Sequence, residues 1–265
     1  ELLLGEAGPN PETAGTTVSQ NKSLRVWTLD GEVLIASIQT KMHVLSPEVC
    51  EGIVQAVELA EAQYQGLVIG SGQEPFSAGA DLQALLPAFM ERGVSAIEEA
   101  EQNMQHMVMR VRYAQVPVVA AVRGLALGGG CELLVHCARR VAHMESYIGL
   151  VEVGIGLIPG AGGLTYITRR AAEKAASSTG KDLLPFLTEG FTAAAMAKVG
   201  TSALESRALG YLLESDVIVP HKDEVLHVAL GEVRALYATG YRPPHRRHFA
   251  VAGRDGRATI LGQLV

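Results

Sequence analysis

Apolar residues along this chain fall into blocks whose period changes from place to place. Val33-Leu-Ile-Ala-Ser-Ile38, Gly66-Leu-Val-Ile-Gly70 and Val118-Val-Ala-Ala-Val122 are short apolar runs, the last two bounded by glycine or entered through Pro117. Brief continuous runs of this kind predict strands; residues 66–70 and 118–122 read as buried on both faces. Between the runs the spacing lengthens. Ser46-Pro47-Glu48 offers a helix cap with proline at the first helical position. Val49, Ile53, Val57, Ala60 and Tyr64 then recur at helical spacing. Residues 93–113 predict a second helix with Ile97, Met104, Val108 and Val111 on one side, and a third runs from about Cys131 to Ala138.

Strands alternating with helices imply an α/β domain with a parallel or mixed sheet. Residues 171–240 are Ala-rich and read as mainly helical, with Val217-Ile-Val219 as a last strand. Residues 1–23 read as a flexible polar lead-in and residues 241–265 as a basic, Pro/Gly-rich tail or connector, leaving residues 24–240 as the domain.

Composition narrows the function. The 265 residues are 48% hydrophobic and 19% charged, which supports a sizeable core. The net charge of −6 argues against a nucleic-acid partner. No apolar run approaches the ~20 residues that span a bilayer, so no membrane partner is expected. Three cysteines, Cys50, Cys131 and Cys137, make no disulfide framework and fit a cytoplasmic, reducing compartment. The eight histidines show no ligand spacing, so no metal is expected. A start without Met suggests a piece of a longer chain.

Three segments need more than packing. In Gly124-Leu-Ala-Leu-Gly-Gly-Gly-Cys-Glu132, three glycines stand between a strand and a helix, where the backbone can approach a ligand closely. The first helical turn has amides without intrahelical partners, which suits developing negative charge. A plain tight turn explains this segment alone equally well. Phe76-Ser-Ala-Gly-Ala-Asp-Leu82 repeats the arrangement, with a helix expected from Asp81-Leu82. Amides from two such turns can form an oxyanion hole if they converge. The third segment is Gly149-Leu-Val-Glu-Val-Gly-Ile-Gly-Leu-Ile-Pro-Gly-Ala-Gly-Gly163.

In this order the three segments resemble the hallmark motifs of the crotonase (enoyl-CoA hydratase/isomerase) superfamily, clearly over residues 30–165 and loosely over 195–240. The resemblance implies a spiral of ββα units with a helical C-terminal region, assembled as a homo-oligomer, with oligomer contacts from helices in 190–240. It implies catalytic carboxyls at Glu132, as activator of water, and Glu152, as donor of the α-proton. It places an oxyanion hole on the backbone N–H groups of Ala80 and Gly129, and CoA binding around Lys41, Met42, Ala78, Asp81, Leu82 and Gly128.

The activity so implied is hydration of a trans-2-enoyl-CoA in fatty-acid degradation, with no cofactor beyond the CoA of the substrate. Two carboxyls favour hydration; Δ3-Δ2-enoyl-CoA isomerisation needs only one, and a non-catalytic acyl-CoA-binding or scaffolding domain needs neither. Leu150-Val151 replaces a common Gln-Pro before the second glutamate, and residues 164–187 replace a short Arg-bearing helix. These departures, with Ala197–Ala203 and Gly240-Tyr-Arg-Pro-Pro244, resemble the C-terminal half of long bacterial 3-hydroxyacyl-CoA dehydrogenases. No G-x-G-x-x-G turn opens a βαβ unit here, so any NAD chemistry is expected in a domain outside this chain.

Overall fold

A computed structural model of the chain describes residues 13–262. It begins with strands β1 (Thr16–Gln20), β2 (Leu24–Thr28) and β3 (Val33–Ile38), helix α1 (Pro47–Gln63) and strand β4 (Gly66–Ile69). Two helices follow, α2 (Leu82–Arg92) and α3 (Val94–Arg112), then β5 (Val118–Val122), β6 (Leu125–Leu127), α4 (Gly129–His136), β7 (Arg139–His143) and β8 (Tyr147–Gly149). The rest is α5 (Gly163–Ser177), α6 (Leu184–Ala195), β9 (Val199–Gly200), α7 (Ala203–Ala208), β10 (Val217–Val219), α8 (Val225–Ala238) and α9 (Gly253–Gly262).

Seven strands form one sheet in the order β1-β2-β3-β4-β5-β7-β10, and β6-β8-β9 form a small second sheet. Pairing is antiparallel from β1 to β3 and parallel from β3 through β10. The expected continuous runs are explained by two cores, one on each sheet face. Leu34, Ala36, Leu67, Ile69, Val118, Ala120 and Val122 meet α1, α3 and α4 on one side. Val33, Ile35, Val68, Val119 and Ala121 meet α8 on the other. Every residue of β3, β4 and β5 is buried, so the strands have no polar face to alternate with.

The α1 cap forms as the sequence predicts: Ser46 accepts from the Val49 amide at 3.3 Å, and Val49, Ile53, Val57 and Ala60 are buried. Within residues 93–113 the helix α3 covers Val94–Arg112, but a separate α2 precedes it, the two divided at Gly93 with φ +65°. The third helix begins two residues earlier than expected, at Gly129.

Several expectations need correction. The lead-in contains β1, an exposed edge strand (Thr-Thr-Val-Ser-Gln) whose mostly polar residues give no apolar alternation. Residues 1–12 of the expected lead-in lie outside the described residues. The tail contains α9, which touches α6; residues 263–265 are also outside. Strand β7 hides behind Arg139-Arg140: Arg140 is buried, and its amide and Nε donate to Asp216 at 3.0 and 2.8 Å. Helix α8 buries Val225, Leu226, Ala229, Leu230 and Val233 against the sheet of its own chain. Among the described residues no helix is long and apolar enough to cross a membrane, and all three cysteines are buried free thiols.

Candidate active site

The site is assembled where the loops after β4 and β6 meet. After β4 the chain turns through Ser77-Ala78-Gly79-Ala80. Ser77 Oγ accepts from the Gly79 amide at 3.1 Å, and the Leu45 amide donates to the Gly79 carbonyl at 2.8 Å. Gly79 has φ +98°, which a side chain would oppose. A Cβ there would also lie 2.9 Å from the Leu127 carbonyl and 3.2 Å from the Gly129 amide nitrogen.

After β6, Gly128 at φ +52° turns the chain into α4, its amide donating to the Gly149 carbonyl at 2.9 Å. Gly129 is the first residue of α4, so its N–H has no intrahelical acceptor. A Cβ on Gly129 would stand 3.5 Å from the Ala80 amide nitrogen and 2.5 Å from Cε of Met104. A Cβ on Gly130 would meet the Ser77 carbonyl at 2.7 Å. The glycine run therefore lets two strand-to-helix turns touch, and it sets the Ala80 and Gly129 amides side by side.

The carboxyls line up against glycines in the same way. Glu132, one turn into α4, is 2% exposed, and its Oε1 accepts from the Gly163 amide at 2.8 Å. A Cβ on Gly163 would fall 2.9 Å from that oxygen. Glu152 opens a 3-10 turn, Glu152–Ile155, and its Oε1 lies 3.4 Å from the Cβ position of Gly128. Both Glu152 oxygens are enclosed without a hydrogen-bond partner.

Burial pushes the Glu132 carboxyl up to about 8, helped by the charge of Glu152 and opposed by the Gly163 amide. Burial raises Glu152 as well. Two raised acids in one enclosure retain a proton near neutral pH. One turn beyond Glu132, His136 donates through Nδ1 to the Glu132 carbonyl at 2.6 Å and is held neutral, its pKa lowered to about 4 by burial.

The residues matched to CoA binding gather at one rim. The Ala78 amide donates to the Met42 carbonyl at 3.1 Å, with Lys41 and Met42 exposed beside it. Asp81 is occupied as the cap of α2, accepting from the Gln83 and Ala84 amides at 3.1 and 3.2 Å, with Leu82 the first residue of that helix. A cleft of about 170 Å³ runs from here between α1, α2 and α3, lined by Leu45, Ala80, Leu85, Ala96 and Met104 among others. Neither Glu132 nor Glu152 lines it; Met104 joins its wall to Gly129.

Sequence reasoning missed two participants. The Gly163 amide lay inside a motif but gave no sign of being the donor to Glu132. Glu101, on α3, reads in sequence as one more charge on a solvated helix beside Glu98 and Glu99. It has an enclosed, unpartnered Oε2 and a carboxyl raised by burial.

Comparison with known proteins bears on the family and the fold. Residues 34–200 match the family described as "Enoyl-CoA hydratase/isomerase". The chain is 33% identical over 250 residues to a "Probable 3-hydroxyacyl-CoA dehydrogenase" of Bacillus subtilis, covering 94% of this chain and 31% of that protein. It is 37% identical over 129 residues to the human "Peroxisomal bifunctional enzyme", covering 49% of this chain and 16% of that one. The chain thus spans at most about a third of these relatives. A solved enoyl-CoA hydratase from Bacillus anthracis superposes with a TM-score of 0.65 at 22% identity, over 82% of this chain and 77% of that one, a likeness of fold. With its crotonase-type α/β fold and this match over most of its length, the chain belongs to the enoyl-CoA hydratase/isomerase family.

Proposed function

We propose that the chain hydrates trans-2-enoyl-CoA thioesters by syn addition of water, giving 3-hydroxyacyl-CoA. The observation that carries this reading is the presence of two enclosed carboxyls, Glu132 and Glu152, both raised by burial, beside paired amides. Adding water across the conjugated double bond places hydroxyl on Cβ and a proton on Cα. One carboxylate must take a proton from water and one carboxylic acid must give a proton to carbon. The intermediate has enolate character, and its oxygen carries negative charge. The Ala80 and Gly129 amides are the donors for that oxygen, each worth roughly 3–4 kcal/mol of barrier where such donors have been removed.

Glu132 is assigned to water activation and Glu152 to delivery of the α-proton. In the empty site burial favours the proton on Glu132. The assignment requires the pair's proton to reside on Glu152 once the thioester is bound. The step needs no metal or dissociable cofactor, since acid, base and amides are all protein groups; CoA belongs to the substrate, gripped at the Met42–Ala78 rim. The relatives' names and the share of their length covered here support a place within a larger fatty-acid-oxidation protein. The hydroxyl produced is what a 3-hydroxyacyl-CoA dehydrogenase oxidises.

The test is a paired assay of the chain with trans-2-enoyl-CoA and with 3-enoyl-CoA. Loss of enoyl absorbance with formation of the 3-hydroxy product is expected. Isomerisation of the 3-enoyl thioester without hydration overturns the reading in favour of an isomerase. Acyl-CoA binding without turnover of either overturns it in favour of a binding domain.

A further inference from the structure

Helix α5 starts on two glycines, so it brings no side chain with which to cap itself. Gly162 is its N-cap, with φ +125°, and Gly163 is its first helical residue. An N-cap side chain ordinarily accepts from the free amides of the first turn. Here the acceptor comes from another element: Glu132 Oε1, on α4, takes the Gly163 amide at 2.8 Å. The carboxyl assigned to water activation therefore caps α5, and its direction depends on where α5 begins.

That beginning rests on a side chain one turn further along α4. His136 is 3% exposed and shares a helix face with Glu132 at i, i+4 spacing. Its Nδ1 donates to the Glu132 carbonyl at 2.6 Å, which holds the ring to its own helix. The Cε1–Nε2 edge of the ring meets Gly162. A Cβ there would lie 2.8 Å from His136 Cε1 and 3.1 Å from Nε2. The ring thus fills the space that an N-cap side chain of α5 would take. Ahead of this turn, Gln105 Nε2 donates to the Gly160 carbonyl at 2.8 Å, and Ala161 is fully buried. Burial keeps His136 neutral, so the ring acts by its shape.

We propose that His136 is a positioning residue of this site: its ring seats Gly162 so that the Gly163 amide meets Glu132 Oε1 and fixes that carboxyl. The inference rests on the hydratase reading above, which gives Glu132 its task. Every link is a contact: ring to Gly162, Gly162 to its neighbour, and the Gly163 amide to the carboxyl. A shorter side chain at 136 lets the start of α5 settle toward α4. The amide then moves, and Glu132 loses its fixed direction.

The experiment is a double-mutant cycle on kcat and KM for a trans-2-enoyl-CoA, with wild type, His136→Asn, Glu132→Gln and the double variant. His136→Asn keeps a donor for the Glu132 carbonyl and removes the ring edge at Gly162. It is expected to lower kcat about 10-fold with KM within about twofold. In the Glu132→Gln background the same substitution should change kcat by less than about twofold, because the group it positions is gone. An unchanged kcat overturns the proposal. So does an equal loss in both backgrounds, which is what a histidine serving only the core would give. The second readout needs no turnover: solvent exchange of the Gly163 amide hydrogen, followed by NMR in the folded chain. Exchange about 10-fold faster in His136→Asn is expected, and exchange at the wild-type rate overturns the proposal. His136→Gln, nearer in volume, runs both measurements with the same signs expected should His136→Asn not fold. An inactive wild-type chain defeats the hydratase reading, while the Gly163 exchange still decides the role of His136.

Discussion

Glu132 and Glu152 are the same residue type in two differently built parts of the molecule. Glu132 stands on α4, a helix buried at every position, with one oxygen fixed by the Gly163 amide. Glu152 stands on a 3-10 turn with no buried residue, followed by Val153, Ile155 and Ile158 at 42%, 56% and 65% exposure. The first carboxyl has its orientation dictated by the core and one hydrogen bond. The second is enclosed yet has no partner on either oxygen. A fixed acid beside one with open acceptors suits a reaction in which water must be held by one group and shared with the other.

Removing either carboxyl breaks this comparison most severely. Glu132→Gln and Glu152→Gln should each lower kcat for enoyl-CoA hydration by about 10²–10⁴ with a smaller change in KM, measured by loss of enoyl absorbance. Stability should then tell the two apart. The Glu132 carboxyl rises from 4.5 to about 8 on folding, so its cost is absent below pH 4.5, grows as pH rises and is complete above 8. Keeping that ionised acid buried costs on the order of a few kcal/mol. Glu132→Gln should therefore raise the denaturation midpoint at pH 9 and change it little at pH 4. Glu152→Gln, in a more open setting, should give a smaller difference between the same two pH values.

Gly163→Ala sharpens the contrast further. Its Cβ would crowd Glu132 Oε1 and Pro159 Cβ, both at 2.9 Å. Displacement of the fixed acid should cost about 10-fold or more in kcat, a loss of the size expected from misplacing a reacting group by about an ångström. The smallest effect is expected on the exposed side of the second region. Ile155→Ser and Ile158→Ser should leave the stability of the isolated chain within about 0.5 kcal/mol in urea denaturation, as for other surface substitutions.

Legibility followed the same division. Strands β3, β4 and β5 and helix α1 were readable because two-sided burial and a capped amphipathic stripe leave local signatures. The three glycine-bearing motifs marked Ala80, Gly129, Glu132 and Glu152 through their order along the chain. Strand β1 escaped notice because it is polar, exposed and at an edge. Strand β7 escaped because the partner that lets Arg140 be buried, Asp216, is distant in sequence. Glu101 escaped for the same reason: what separates it from Glu98 and Glu99 is contact with Gly160, almost sixty residues away and visible only after folding. The two amides could be nominated from sequence, but their meeting depends on the fit of Gly79 to Gly129 across two loops.

That meeting is tested most directly by the structure of the chain bound to acetoacetyl-CoA, whose enolate resembles the intermediate. The account predicts the thioester oxygen about 3 Å from both the Ala80 and the Gly129 nitrogens, with the Glu132 and Glu152 carboxyls facing the adjacent carbons. A thioester oxygen bound by only one of those amides, or carboxyls turned away from the reacting carbons, contradicts it.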